Sequence, residues 1–207
     1  RVANSSSATT TITLTGDSNL TATFEAIPPT LASMIDPHDM VKRMGRGINL
    51  GNVLSAPEEG RWAPAATEQY FMDLAEANFT NVRIPMDFYG SRTSGDTSSY
   101  STLANSSADF TGSMDDFVVS GTYLDRIEEV VTWSLNQGLI TVLDFHGSDL
   151  KTEFLHTFNS TNSHYLDPTS ARRAADMTKF KSIWRAISTR FRDYAPELIF
   201  EIMNEPY

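Results

Sequence analysis

From Ser33 onward, short apolar runs alternate with longer segments whose apolar residues recur at every third or fourth position. That is the pattern of repeated strand–helix units around a parallel sheet. Four runs predict strands near 47–51 (GINLG), 81–85 (NVRIP), 139–145 (LITVLDF) and 198–203 (LIFEIM). Between them, 64–78 opens on Pro64, a residue suited to the first turn of a helix, and sets Phe71, Leu74 and Ala75 on one stripe. Residues 122–136 align Leu124, Ile127, Val131 and Leu135 ahead of Gly138, and glycine readily takes the left-handed backbone that ends helices. A third helix is expected over 170–193, with Phe180, Ile183, Trp184, Ile187 and Phe191 inward.

Ahead of these units, 11–15 (TITLT) and 20–24 (LTATF) alternate polar and apolar residues around GDSN, which predicts a β-hairpin. Its Ser/Thr-rich flank and Pro28–Pro29 read as a linker. The expected domains are therefore 1–30, hairpin and linker, and 31–207, the main α/β body. The hairpin either ends an upstream β-module or covers a barrel's base; the pattern supports both equally. Two long polar connections, 87–120 and 146–168, both follow strands. In a βα barrel that end builds the active site, and such long loops are usually functional, so both are expected walls of a substrate cleft. The Ser/Thr/Gly content of 91–113 suggests mobility.

Composition narrows the partners. A chain of 207 residues that is 40% hydrophobic can build a sizeable core, burying roughly 70% of its unfolded surface. The formal charge of −10, with no Lys/Arg cluster, makes contact with polyanions repulsive and excludes nucleic acid as a natural ligand. No apolar stretch approaches the roughly 20 residues that span a bilayer. The start at Arg1 lacks the features of a signal peptide, so no membrane partner is expected and the chain reads as a soluble, processed or excised piece. With no cysteine, disulfides, thiolate metal sites and a cysteine nucleophile are ruled out.

Polar residues that packing does not explain stand at the end of each strand: Asn49 and Asn52, Arg83, His146, then Asn204 and Glu205. Polar groups cost free energy in an interior unless paired, so their recurrence at equivalent places implies a shared site. Each has a plainer reading alone. Arg83 suits a buried ion pair, His146 a satisfied core histidine, Asn52 a turn, Trp62 packing, and Glu205 a surface carboxylate. His146, His156 and His164 offer no pair at the spacing of helical metal ligands, so no metal is expected. The chain also lacks GxGxxG, GxxxxGK[ST] and GxSxG, the marks of phosphate cradles and of a serine elbow.

GINLGN at 47–52, APEEGRW at 56–62, VRIP at 82–85, LDFHG at 143–147 and LIFEIMNEP at 198–206 resemble, in order and spacing, glycoside hydrolase family 5. The bacterial endo-β-1,4-glucanases are most similar, over about 38–207. The resemblance implies a (β/α)8 TIM barrel, of which this chain supplies about the first four βα units. It implies that Glu205 is the general acid/base and that Asn204 holds the sugar's 2-hydroxyl. Arg83 would steady the nucleophile, His146 would line the subsite of the cleaved sugar, and Asn52 and Trp62 would touch sugars on the non-reducing side. Asn49 joins the expected substrate-binding residues, with Tyr207 as a stacking ring. Strict strand alternation sends Asn204 and Glu205 to opposite faces, so both reach the site only where the strand ends or bulges.

Retaining glycosidases hold two carboxylates about 5 to 5.5 Å apart, one protonating the leaving oxygen and one attacking the anomeric carbon. By the resemblance the attacking Glu lies on the seventh strand, whereas the chain ends at Tyr207. The chain alone is therefore expected to be inactive, with an apolar barrel interior and open strand edges to be covered by a complementary C-terminal half-barrel. The implied substrate is a β-1,4-glucan such as cellulose, or a related mannan or xyloglucan, met outside the cell by a secreted protein without a cofactor. Two departures bear on specificity: Ser55 stands where the family carries a sugar-binding carboxylate, and Gly147 where a second His often follows the first. The alternative is a noncatalytic carbohydrate-binding or interaction module that keeps the cleft but not turnover.

Overall fold

The computed structural model describes residues 35–102, 107–147 and 167–205. The expected hairpin and linker, most of the 146–168 connection and Tyr207 lie outside them. The chain divides into two units, Arg1–Met34 and Ile35–Tyr207, and the described residues all belong to the second.

Four strands, β1 (Gly47–Asn49), β2 (Asn81–Met86), β3 (Ile140–Phe145) and β4 (Leu198–Glu201), form one sheet in sequence order. All neighbours are parallel, with Asn49 opposite Arg83, Pro85 opposite Asp144, and Asp144 opposite Glu201. The described helices are α1 (Pro37–Met44), α2 (Glu68–Glu76), α3 (Gly121–Asn136) and α4 (Ala171–Arg190). Each of α2, α3 and α4 carries the chain back from one strand's end to the next strand's start, as parallel pairing requires.

Successive strand residues face opposite sides, so Val82, Ile84, Met86, Leu143, Phe145 and Leu198 line one face. There they join a core with Phe71 and Leu74 of α2, Ile127 and Val131 of α3, and Ile183 and Ile187 of α4. Burying one such side chain stabilises the fold by about 1.5 to 3 kcal/mol. The other face carries Asn81, Arg83, Pro85, Ile140, Val142, Asp144, Ile199 and Glu201. It is apolar at Ile140, Val142 and Ile199 and polar toward the strand ends. Its half nearest the strand ends holds an arginine ion-paired with two carboxylates, Asp144 and Glu201.

Several boundaries differ from the periodicity. α1 was not foreseen: Asp36 accepts from the amides of His38 at 2.9 Å and Asp39 at 3.3 Å, and Pro37 enters the first turn. Only Met40 of this helix is buried, so no apolar stripe marks it. α2 starts at Glu68 rather than Pro64, because the Thr67 hydroxyl accepts from Tyr70 N and caps it there. α4 stops at Arg190, with 191–193 in a turn. Gly138 follows α3 at φ +74° as expected. The described part of 87–120 is strapped to α4: Lys179 donates to Gly95 O at 2.8 Å, and the Ser182 hydroxyl reaches the Met114 and Phe117 carbonyls. No helix among the described residues is long and apolar enough to cross a membrane.

Candidate active site

The strand ends converge on Arg83. From β2 its Nε and Nη2 donate to the two Glu201 oxygens, each at 2.7 Å. Nη2 also meets Asp144 Oδ2 at 2.8 Å and Asn204 Oδ1 at 2.9 Å, while Nη1 donates to Asn49 Oδ1 at 3.2 Å. The guanidinium thus joins all four strands. The bidentate geometry is the strong form of such a pair, and the bond to Glu201 raises the Arg83 pKa above its ordinary value. Arg83 is both the ion-pair partner of the plainer reading and a member of the shared site.

Asp144 is fully buried beneath this network. Its Oδ2 takes the Arg83 contact and lies 2.8 Å from His146 Nδ1. Its Oδ1 finds no hydrogen-bond partner among the described residues. Burial pushes the Asp144 carboxyl up from the ordinary range, partly opposed by His146 and Arg83. An ionised Asp144 accepts from Nδ1–H, which leaves the His146 Nε2 as the nitrogen able to accept.

β4 reaches the site through an extra residue. Thr141 N donates to Glu197 O, and that ladder continued without a break would bring Met203 N to Phe145 O. Asn204 N makes that bond instead, at 2.9 Å. The one-residue bulge turns Asn204 onto the Arg83 face. The expected irregularity therefore takes the form of a strand ending at Glu201, not Met203, followed by a bulge. Glu205 follows at φ +47°, exposed, and near enough for its charge to raise the Arg83 pKa.

The structure thus brings together Asn49, Arg83, His146 and Asn204, with Glu205 at their margin. Asn52 and Trp62 are exposed on the β1–α2 loop, and neither is hydrogen-bonded to the network among the described residues. Asn52 has a left-handed φ of 65°, in keeping with its reading as a turn residue, and Trp62 is 49% exposed, which leaves about half of its surface open to solvent. Ser55 is 2% exposed and presents nothing to solvent. Gly147 has φ +56°, a backbone that histidine adopts only at a cost. Asp144 and Glu201 were not singled out from sequence. The available signal was a carboxylate inside each of two otherwise apolar strands, LITVLDF and LIFEIM. Among the described residues no group of three or more His, Asp or Glu is arranged to hold a metal ion.

Residues 41–207 match the family described as cellulase, glycosyl hydrolase family 5. Endoglucanase H of Acetivibrio thermocellus is 34% identical over 180 residues, covering 87% of this chain and 16% of that protein. Endoglucanase A of Paenibacillus barcinonensis is 29% identical over 170 residues, covering 79% of this chain and 36% of that protein. Among solved structures, a tri-modular subfamily 4 endo-β-1,4-glucanase from Bacillus licheniformis, complexed with cellotetraose, aligns with a TM-score of 0.60. It has 29% identity and covers 83% of this chain and 28% of that one. Thermotoga maritima Cel5A in complex with cellobiose aligns with a TM-score of 0.56 and 28% identity, over 83% of this chain and 44% of that one.

Proposed function

This chain belongs to glycosyl hydrolase family 5, and from that premise we propose that it forms the first half of a retaining β-1,4-glucanase whose general acid/base is Glu205. The fold is that of a partial (β/α)8 barrel. Because the chain spans only a sixth to about a third of the two relatives' lengths, activity and substrate are inferred for the longer assembly. The observation that carries the reading is the bulge at Asn204. It sets the Asn204 amide on Arg83 and leaves the next residue, Glu205, near enough for its charge to act on the same guanidinium.

In the proposed cycle, Glu205 protonates the departing glycosidic oxygen while a second carboxylate attacks the anomeric carbon. Glu205 then deprotonates the water that releases the sugar. Asn204, held by Arg83, orients the 2-hydroxyl, and the His146 Nε2 faces the cleaved sugar. The attacking carboxylate comes from a complementary half-barrel, on the same or a separate chain. In support, neither outer edge of the sheet, β1 or β4, pairs with another strand among the described residues. A polymeric substrate places the protein outside the cell. Trp62 offers an exposed ring to a sugar face, and the acidic chain suits a neutral glucan.

The test is hydrolysis of carboxymethyl-cellulose by the full-length protein and its Glu205→Gln variant. The variant should lose about 10²- to 10⁴-fold in kcat, yet release a rapid burst of dinitrophenolate from dinitrophenyl cellobioside, whose leaving group needs no proton, before slow turnover set by the second step, which lacks its base. Equal polysaccharide turnover by both proteins overturns the assignment. Binding of cello-oligosaccharides by the full-length protein without any turnover would favour the noncatalytic module instead.

A further inference from the structure

The β1–α2 loop is closed at its base by an ion pair that the proposed chemistry does not use. Glu59 Oε2 accepts from Arg126 Nε at 2.9 Å, and Oε1 accepts from Arg126 Nη2 at 2.8 Å and from Ala66 N at 2.9 Å. Arg126 Nη2 also donates to Ala66 O at 2.8 Å. The two side chains therefore bond both backbone groups of Ala66 and tie residue 59 to residue 66. Arg126 stands on α3, lies 4.9 Å over the Trp133 ring and pairs with Glu129, so the anchor belongs to the barrel wall. Between the clamped ends, Gly60, Arg61 and Trp62 protrude as exposed residues.

We propose that Glu59 and Arg126 are positioning residues that fix the Trp62 ring as a preformed platform for sugar and so set the affinity for the glucan chain. The inference rests on the reading that Trp62 meets sugar. Ordering a residue's backbone costs about 1 to 2 kcal/mol, so an unclamped excursion would order on each binding event and weaken it. The clamp confines that freedom before the ligand arrives. A platform away from the reacting bond acts equally on ground and transition states, so its loss appears in KM rather than in kcat.

The experiment measures kcat, KM and Tm on a soluble cello-oligosaccharide for the full-length protein, Glu59→Ala, Trp62→Ala and the double variant. Glu59→Ala should raise KM about fivefold with kcat within about twofold. The same change should add nothing once Trp62 is gone, and Glu59→Gln should restore part of the affinity. An unchanged KM, an equal rise in both Trp62 backgrounds, or a fall in kcat instead of a rise in KM overturns the clamp. Should Glu59→Ala not fold, Arg126→Lys carries the same comparison. Failure of the underlying reading looks different: an active wild type with a silent Trp62→Ala removes the sugar contact, and an inert wild type removes the glucanase assignment, each taking the clamp with it.

Discussion

Arg83 on β2 grips Glu201 on β4 through two hydrogen bonds of 2.7 Å, passing over the intervening strand β3. The two strands lie about 10 Å apart, twice the usual strand spacing, a gap that only a long side chain leaning along the sheet can cross. β3 permits it because the residue opposite Glu201 is the short Asp144, which accepts from the same guanidinium. One arginine thereby fixes the register of the strand ends and the side chain of Asn204.

Glu201→Ala should therefore cost both stability and chemistry. The pair is a quarter to a third exposed, so screening limits the loss to about 1 to 2 kcal/mol, read as a lower urea midpoint. In the full-length protein kcat should fall about tenfold with KM little changed, because Asn204 loses a fixed Arg83. An unchanged kcat would show that Asn204 is held without this pair.

The contact between Asp144 and His146 Nδ1 makes a spectroscopic prediction independent of turnover. Nitrogen-detected NMR should find the neutral His146 ring protonated at Nδ1, the less common form in free histidine. Asp144→Ala should shift it to the Nε2–H form. The same form in both proteins would mean that the carboxylate does not select it.

Much of this architecture was legible because it is local. β2, β3 and α3 carry apolar patterns that need no distant residue to be read, and Gly138 lies beside the end of α3 in sequence. α1 escaped because one buried residue makes no stripe, although Asp36–Pro37 and the basic Lys42 and Arg43 of its last turn were on view. Asp144 and Glu201 escaped for a different reason. A carboxylate inside an apolar strand is intelligible only with its cation, and Arg83 lies 118 residues from Glu201. The bulge at Asn204 could be required from the chemistry, but not located, since register is set by pairing between strands rather than within one.

Glu59 gives a pH dependence with a definite sign. Its bond to Arg126 holds its carboxyl below the ordinary 4.5, assisted by the Ala66 amide and the charge of Arg92 and opposed by burial. A depressed folded pKa contributes stability that is present above 4.5 and is lost as pH falls through the folded value. Asp144, whose carboxyl is raised, contributes with the opposite sign over its own range. The difference between wild type and Glu59→Gln cancels the Asp144 contribution. That difference, from urea midpoints, should be largest at neutral pH and shrink steadily on acidification below 4.5. A difference independent of pH would remove the charged clamp.

The start of the same loop depends on Arg92 and Tyr123. Arg92 donates to the carbonyls of Leu54 at 2.9 Å, Ala56 at 2.6 Å, Asp87 at 3.2 Å and Pro57 at 3.3 Å, with its plane 4.3 Å over the Tyr123 ring. The Tyr123 hydroxyl donates to Leu54 O at 2.8 Å, and burial pushes its pKa up. Only a planar fork serves several carbonyls at once; an ammonium at the end of a flexible stem satisfies fewer of them and stacks less well. Arg92→Lys should therefore destabilise the protein by about 2 kcal/mol. The cost should be local as well as global: hydrogen exchange should quicken over residues 53–57 before it does in β2 or β3, because those carbonyls lose partners that no neighbouring strand replaces. If the whole sheet exchanges faster in step with that segment, Arg92 supports the core at large rather than this loop.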